Sequence, residues 1–176
     1  YKRQALVAGE RTALNLAMRL SGIATATAEL VAQLQGTGVH LADTRKTTPG
    51  LRLLEKYAVR CGGGINHRMG LDDAAMLKEN HIAWAGGITM AIAAVRSSAP
   101  WPARVIVEAE TEAQATEAVQ AGADGVLLDE FTPTQLIALV PRLRELSSRG
   151  VVLEASGVQP DELKAYACLL YTSDAA

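Results

Sequence analysis

The sequence has few aromatic residues, few cysteines and no long apolar segment. Aromatic residues make up 4% of the 176 residues, and the two cysteines, Cys61 and Cys168, form neither a CxxC motif nor a His/Cys spacing suited to zinc. This usage is typical of a reducing compartment, so we expect a cytoplasmic location. No apolar run has the length of a membrane span, so we expect no membrane partner.

The chain also has little net charge. Its formal net charge is −2, which argues against a nucleic-acid partner recognised by bulk electrostatics. Any anion site must therefore be a local cluster of cations. With 49% hydrophobic and 20% charged residues, the composition is that of a globular domain with a real core. The chain begins Tyr1-Lys2-Arg3 without Met or a signal peptide, so we expect it to begin inside a longer protein.

Strand-like and helix-like segments alternate along most of the chain. Residues from about 10 to 35 have helical periodicity, with a break expected at Ser21-Gly22. Strands are predicted at 39–43, 75–82, 105–110, 125–129 and 151–155, and helices at 51–60, 88–96, 112–121, 133–148 and 160–167. Thr111 and Thr132 are the expected N-caps of two of these helices. Such alternation predicts an α/β fold with a parallel sheet, open or closed into a barrel.

Polar residues lie at or near the end of nearly every predicted strand. They are Asp43 with Arg45 and Lys46, Lys78 with Asn80 and His81, Glu108 with Glu110, Asp129, and Glu154 with Ser156. Buried parallel strands are otherwise almost wholly apolar. Since the strand ends of a barrel meet at one mouth, where active sites lie, we favour a barrel with a shared polar site.

Two loops have the donors that an anion needs. The sequence DTRKTTPG, residues 43–50, contains two adjacent cations and three threonine hydroxyls, which suits a phosphate, a pyrophosphate or a dicarboxylate. The sequence GGGINHR, residues 62–68, adds His67 and Arg68 after three glycines that allow the backbone to approach a ligand closely. A solvated surface loop and a plain flexible turn are the alternatives for these segments.

Lys78 is predicted to lie within a buried strand, where an unpaired ammonium is costly. It needs a carboxylate partner, a ligand, or activation as a Schiff-base nucleophile. Glu108 and Asp129 are its candidate partners. These two carboxylates are also the candidate ligands of magnesium, which often works through substrate phosphates.

Six motifs together resemble the quinolinate phosphoribosyltransferase family. They are DTRKTTPGLR, GGGINHR, LKENH, VEAE, GVLLD and EASG, in that order, and the resemblance extends from about Ala8 to Ser156. It implies an incomplete (β/α) barrel of the type II phosphoribosyltransferase kind, preceded by N-terminal helices. The implied domains are a helical segment at 1–38, a partial barrel at 39–167 and an atypical tail at 168–176. The implied reaction uses magnesium and transfers a phosphoribosyl group from phosphoribosyl pyrophosphate to quinolinate, releasing pyrophosphate and carbon dioxide.

The resemblance also implies a role for individual residues. Quinolinate would be bound by Arg45, His67 and Arg68, with Lys78 close by, and Arg11 would reach the site of a neighbouring subunit in a homodimer. Lys46, Glu108 and Asp129 would contact phosphoribosyl pyrophosphate and its magnesium, the metal chiefly through the substrate. Ser156 and Gly157 would hold the 5-phosphate. The chain departs from the family pattern at Glu130, at Val158 and after Cys168.

Other functions stay open on the sequence alone. A relative with the same barrel could take nicotinate or serve molybdate transport. A barrel aldolase could use Lys78 as its nucleophile. A fragment could act only as an assembly interface, and we expect the 176-residue chain alone to have little or no activity because its barrel would not close.

Overall fold

The computed structural model describes residues 2–170, and these divide into one compact unit up to Met69 and a second from Gly70 onward. The first unit contains helices α1 (Lys2–Gln33) and α2 (Arg52–Cys61), which pack on each other. The predicted break at Ser21-Gly22 is wrong, because α1 is continuous. A glycine inside a helix costs about 1 kcal/mol relative to alanine, which a long helix can tolerate.

The glycines of residues 62–64 serve the packing of the first unit. A Cβ on Gly62 would lie 2.4 Å from the carbonyl oxygen of Ala24 in α1, and one on Gly64 would lie 2.8 Å from Val59 Cγ1. Close approach is therefore required here, as the sequence predicted, but the groups approached belong to the protein itself. The predicted strand at 39–43 is reduced to one parallel bridge between Ala42 and Ile65.

The second unit is a parallel sheet whose strands lie in chain order, β1-β2-β3-β4. Its elements are β1 (Ala74–Leu77), α3 (Glu79–Ala85), α4 (Ile88–Ser98), β2 (Arg104–Ala109), α5 (Glu112–Gln120), β3 (Gly125–Asp129), α6 (Pro133–Leu146), β4 (Val152–Ser156) and α7 (Leu163–Leu170). The predicted α/β fold with a parallel sheet after an N-terminal helical region is confirmed. The predicted strand at 75–82 is wrong in its second half, where α3 begins.

Side chains on one face of this sheet form the core. These residues pack with the helices and are buried or partly buried: Leu77, Val105, Val107, Ala109, Val126, Leu128, Leu153 and Ala155. They alternate with residues of the opposite face, as the period of two in a strand requires. The opposite face thus belongs to the even-numbered positions of β1, β2 and β4 and the odd-numbered positions of β3.

Local signals fix the ends of the helices. Thr111 and Thr132 are N-caps as predicted, and each accepts a hydrogen bond from the backbone of a glutamine three residues later. Helix α7 is anchored by Tyr166, whose hydroxyl donates to the carbonyl of Phe131 at 2.7 Å. Burial, with nearby Glu162, raises the pKa of Tyr166 and so favours this donor form. None of the described helices combines the length and hydropathy needed to cross a membrane.

Candidate active site

In the first unit, the carboxylate of Asp43 joins the two predicted ligand loops. Its Oδ1 accepts a hydrogen bond from the backbone N–H of His67 at 2.8 Å, and its Oδ2 accepts one from Asn66 Nδ2 at 2.6 Å. Lys56 Nζ forms an ion pair with the same carboxylate. The backbone adds a bond from the N–H of Asp43 to the carbonyl of Ile65 at 3.1 Å. Residues 43–46 and 66–68 are consequently held side by side.

Arg45 and Lys46 lie two and three residues after Asp43 on the first of these loops. The Nε of Arg45 is buried and has no hydrogen-bond partner among the described residues, whereas the Lys46 side chain is exposed. Arg52 shapes their backbone: its Nε donates to Thr47 Oγ1 at 3.1 Å and its Nη2 to the carbonyl of Arg45 at 3.4 Å. An unsatisfied guanidinium N–H in a polar loop is a ready donor to an anion.

His67 and Arg68 lie half-buried on the other loop. The backbone N–H of Arg68 donates to His67 Nδ1 at 2.8 Å. In the neutral imidazole this assigns the proton to Nε2, which leaves an N–H donor on the far side of the ring. The structure therefore brings His67 and Arg68 next to the loop that carries Arg45 and Lys46, as the sequence predicted.

A second group of polar contacts links α1, α2 and the loop of residues 43–50, which carries Arg45 and Lys46. Arg19 donates to Glu55 Oε1 from Nε at 2.8 Å and from Nη2 at 2.6 Å, and Thr48 N–H donates to Glu55 Oε2 at 3.0 Å. The Thr48 amide and then Arg19 hold the pKa of Glu55 below its ordinary value. Arg11, in contrast, is exposed on α1, and its predicted role at a neighbouring subunit stays a prediction.

In the second unit, the predicted residues lie on the sheet face opposite the helix-covered core. Glu108 of β2 pairs in register with Leu127, Leu127 with Glu154, and Asp129 with Ser156. Paired residues of parallel strands point to the same face, so this face carries the carboxylates of Glu108, Asp129 and Glu154 and the serine Ser156. Lys78 follows β1 one residue beyond the Leu77–Val107 pair, level with Glu108.

Lys78 forms an ion pair with Glu108, one of its two predicted partners. The expectation that Lys78 is buried is wrong: its side chain is 49% exposed, against 15% for Glu108. The physical reason is that β1 ends at Leu77, and Lys78 precedes α3, where its N–H donates to His81 Nδ1 at 3.1 Å. Asp129 forms no side-chain hydrogen bond or ion pair within the described residues.

The exits of β3 and β4 lie beside each other. Glu130, directly after Asp129, has a positive φ of 57°, and its N–H donates to the carbonyl of Ser156 at 3.3 Å. Gly157 has a φ of 79°, and a Cβ there would lie 3.3 Å from Glu130 Cγ. The positive φ therefore favours glycine at this position, and a larger residue would also have to displace the Glu130 side chain slightly. Val158 packs against the core rather than lining an open loop.

The donor set of the second unit offers few ligands for a metal. Among residues 2–170 no group of three or more His, Cys, Asp or Glu side chains is arranged to hold a metal ion. The carboxylate of Asp129 has no partner within residues 2–170, and that of Glu108 is engaged by Lys78. This set suits magnesium only when substrate phosphates supply further oxygens.

Sequence reasoning missed the residues that position the first-unit loops. Arg52, Glu55 and Lys56 share one face of α2, and all three contact residues of the preceding loop, as Asn66 also does. The signal was their i, i+3, i+4 spacing on a helix directly after a cationic loop. Polar residues on an inward face of a short helix need partners, and the loop provides them.

Comparison with known proteins agrees with this geometry. Residues 23–172 match the family described as quinolinate phosphoribosyl transferase, C-terminal domain. The chain belongs to the quinolinate phosphoribosyl transferase family. The resemblance inferred from its motifs is confirmed.

Relatives of this quinolinate phosphoribosyl transferase domain come from distant organisms. The chain is 50% identical over 153 residues to a probable nicotinate-nucleotide pyrophosphorylase (carboxylating) of Bacillus subtilis, covering 87% of this chain and 52% of the relative. It is 45% identical over 154 residues to the nicotinate-nucleotide pyrophosphorylase (carboxylating) of Homo sapiens, covering 86% and 52%. The solved structure of NadC from Streptococcus pyogenes has 44% identity and a TM-score of 0.84, covering 92% of this chain and 56% of that one. The chain spans about half the length of these relatives.

Proposed function

We propose that this protein transfers the phosphoribosyl group of phosphoribosyl pyrophosphate to quinolinate and decarboxylates the product, giving nicotinate mononucleotide for NAD biosynthesis. Membership of the quinolinate phosphoribosyl transferase family supports the reaction class. The observation that carries the choice of substrate is the clamp at Asp43, which places the Arg45 loop beside the His67–Arg68 loop. Two adjacent cationic loops suit two adjacent carboxylates.

Arg45, His67 and Arg68 are the proposed ligands of the two quinolinate carboxylates. Arg45 contributes a buried Nε–H that has no partner among the described residues, and arginine can bind a carboxylate through two parallel hydrogen bonds. The His67 imidazole contributes Nε2–H when Nδ1 accepts from Arg68. Lys78 is proposed to lie close to quinolinate, and Arg11 to act on the site of a second subunit in a homodimer.

The proposed phosphoribosyl ligands are Lys46 in the first unit and Glu108, Asp129, Ser156 and Gly157 in the second. Lys46 has an exposed ammonium suited to a pyrophosphate. Asp129 and Glu108 lie on one sheet face, where carboxylates can stabilise the positive charge that develops on the ribose as pyrophosphate leaves. Magnesium, if carried in with the phosphates, neutralises part of their charge.

The chemistry needs little from the protein beyond binding and electrostatics. The pyridine nitrogen of quinolinate attacks the anomeric carbon of the ribose while the bond to pyrophosphate breaks, so no general base is required. The carboxylate at C2 then leaves as carbon dioxide, and its bonding electron pair stays at C2, stabilised by the adjacent cationic nitrogen. A proton from water completes the pyridine ring. A cytoplasmic location stays a prediction.

The Schiff-base alternative is not favoured by any contact of Lys78. Its ammonium donates to Glu108, whereas a nucleophilic lysine needs a neutral amine. The nicotinate and molybdate-associated alternatives differ from the proposal in substrate, so a substrate panel separates them.

The test is an activity assay on a hybrid protein. This chain replaces the matching segment of the Bacillus subtilis relative, which supplies the rest of a complete enzyme. The hybrid is incubated with phosphoribosyl pyrophosphate, magnesium and either quinolinate or nicotinate, and nicotinate mononucleotide and carbon dioxide are measured. We expect product and carbon dioxide from quinolinate only. Product from nicotinate without carbon dioxide would favour the alternative substrate, and a folded hybrid that uses neither acid would refute the proposal.

A further inference from the structure

The buried pair formed by Asp43 and Lys56 has no place among the proposed substrate ligands. We infer that these two side chains are positioning residues, which hold residues 43–46 and 66–68 at the separation that two adjacent carboxylates require. They thereby select a dicarboxylate over a monocarboxylate. This inference rests on the proposed function, because it concerns the same site.

The burial of the pair is the first reason. The Lys56 side chain is 1% exposed and that of Asp43 is 7% exposed. Removing two charges from water costs more desolvation free energy in the interior than at the surface. A protein in which apolar side chains of similar size replace a buried ion pair is often at least as stable. A buried ion pair is therefore weak evidence for a role in stability alone.

The geometry is that of a clamp on the backbone of His67. Asp43 Oδ1 accepts from the His67 N–H at 2.8 Å, and Lys56 Nζ donates to the His67 carbonyl at 3.1 Å. The peptide groups on both sides of this residue are thus held by one ion pair. Asn66 adds a further link, because its Nδ2 donates both to Asp43 Oδ2 at 2.6 Å and to the Lys56 carbonyl at 2.9 Å.

The clamp joins the two segments that carry the proposed ligands. Asp43 lies two residues before Arg45 on one segment, and Asn66 and His67 directly precede Arg68 on the other. Helix α2 supplies Lys56, so loss of its ammonium weakens the contact between the two segments without removing a proposed ligand, while the hydrogen bonds from Asn66 and His67 to Asp43 remain.

This arrangement has a consequence for selectivity. The carboxylates at C2 and C3 of a pyridine ring have a fixed separation, so binding both needs donors on two segments at a fixed distance. A single carboxylate can be bound by one segment. Misplacement of one segment therefore weakens the binding of a dicarboxylate much more than the binding of a monocarboxylate.

The experiment compares the hybrid protein carrying Lys56→Met with the unmodified hybrid by calorimetric titration with quinolinate and with nicotinate. Arg142→Met is the matched control, because its ion pair with Glu112 is exposed and lies in the other unit. We expect Lys56→Met to lower quinolinate affinity by about tenfold or more and to change nicotinate affinity by less than about twofold. The control should change neither.

A second variant keeps the test decisive, because Lys56→Met leaves the Asp43 carboxylate buried without its cation and could prevent folding. Asn66→Ala removes only the neutral part of the clamp and should show the same selectivity loss in smaller degree. If folded variants of the hybrid bind quinolinate as the unmodified hybrid does, or if their affinities for both acids fall equally, the inference is overturned and the proposed function stands. If the folded, unmodified hybrid binds neither acid, the proposed function and the inference both fail.

Discussion

The polar side chains of this protein differ in whether their hydrogen bonds and ion pairs are made within the protein itself. Asp43 and Lys56 have all their main contacts within the first unit, and Glu108 is paired with Lys78. Arg45 Nε and the Asp129 carboxylate have no hydrogen-bond partner among the described residues. A polar group that the fold leaves unsatisfied is the one most available to a ligand.

Arg45→Ala should weaken quinolinate binding far more than binding of phosphoribosyl pyrophosphate. A hydrogen bond to a charged group contributes about 1.5–3 kcal/mol, or roughly tenfold to a hundredfold in affinity. Titration of both substrates into the hybrid protein measures the two effects, with Arg60→Ala as an exposed control from α2. An equal loss for both substrates would assign Arg45 to the phosphates instead.

Glu130→Asn should stabilise the protein. Glu130 has a φ of 57°, and asparagine occupies this left-handed region more readily than glutamate does. We expect a gain of about 0.5–1 kcal/mol in the free energy of unfolding, measured by urea denaturation. Glu110→Asn, at the exposed exit of β2, is the control and should bring no gain. A loss of stability in Glu130→Asn would show that the glutamate makes a contribution that its backbone conformation does not reveal.

Two neighbouring residues of helix α6 test which face of this helix packs in the core. Leu136 is fully buried in the core, whereas its neighbour Ile137 is 60% exposed. Leu136→Ala should cost about 2–5 kcal/mol because it leaves a cavity. Ile137→Ala should change the free energy of unfolding by less than about 0.5 kcal/mol. Similar urea midpoints for the two variants would contradict the orientation of this helix.

The contacts of Glu55 in α2 with Arg19 of α1 and Thr48 of the loop 43–50 should make the free energy of unfolding depend on pH in the acid range. The pKa of Glu55 in the folded protein lies below its ordinary value of 4.5, so the stabilising effect is present above that pH and is lost as the pH falls through the lower folded value. The free energy of unfolding of the unmodified chain should therefore decrease below about pH 4.5, and that of Glu55→Gln should decrease less. Parallel curves for the two proteins would remove Glu55 from the acid response.

The sequence predicted those elements whose signals are local. Strand 125–129 and the N-caps Thr111 and Thr132 agree with the structure, because apolar runs and capping residues act on their own neighbourhood. The strands predicted at 39–43 and 75–82 were too long, because apolar composition does not show how far a segment is paired. Pairing stops at a single bridge in the first case and at Leu77 in the second.

The residue types of the candidate site were predictable, but their supporting contacts were not. Polar residues at strand ends are visible in the sequence, and the structure places Glu108, Asp129 and Ser156 on one sheet face. The contacts from Lys56 and Asn66 to Asp43 join residues 13 and 23 positions apart, and such pairings depend on how the chain folds back. The roles assigned to the site residues stay predictions until they are measured.

Ligand binding should be visible in the stability of the chain as a whole. A ligand that binds only the folded state at about 100 times its Kd adds about 2.7 kcal/mol to the free energy of unfolding. Quinolinate should therefore raise the Tm in a concentration-dependent way, and nicotinate at the same concentration should raise it less. Equal shifts from both acids would contradict selection of a dicarboxylate.

The two faces of the parallel sheet have different freedom to change during evolution. The helix-covered face, with Val107 and Leu128 at its centre, needs only apolar side chains of suitable volume, so conservative exchanges there should accumulate with little effect on catalysis. The opposite face carries Glu108, Asp129 and Ser156, whose exchange leaves the packing against the helices intact and, under the proposed function, should alter ligand preference. Descendants of this sheet could therefore acquire new substrates by changing one face while inheriting the other.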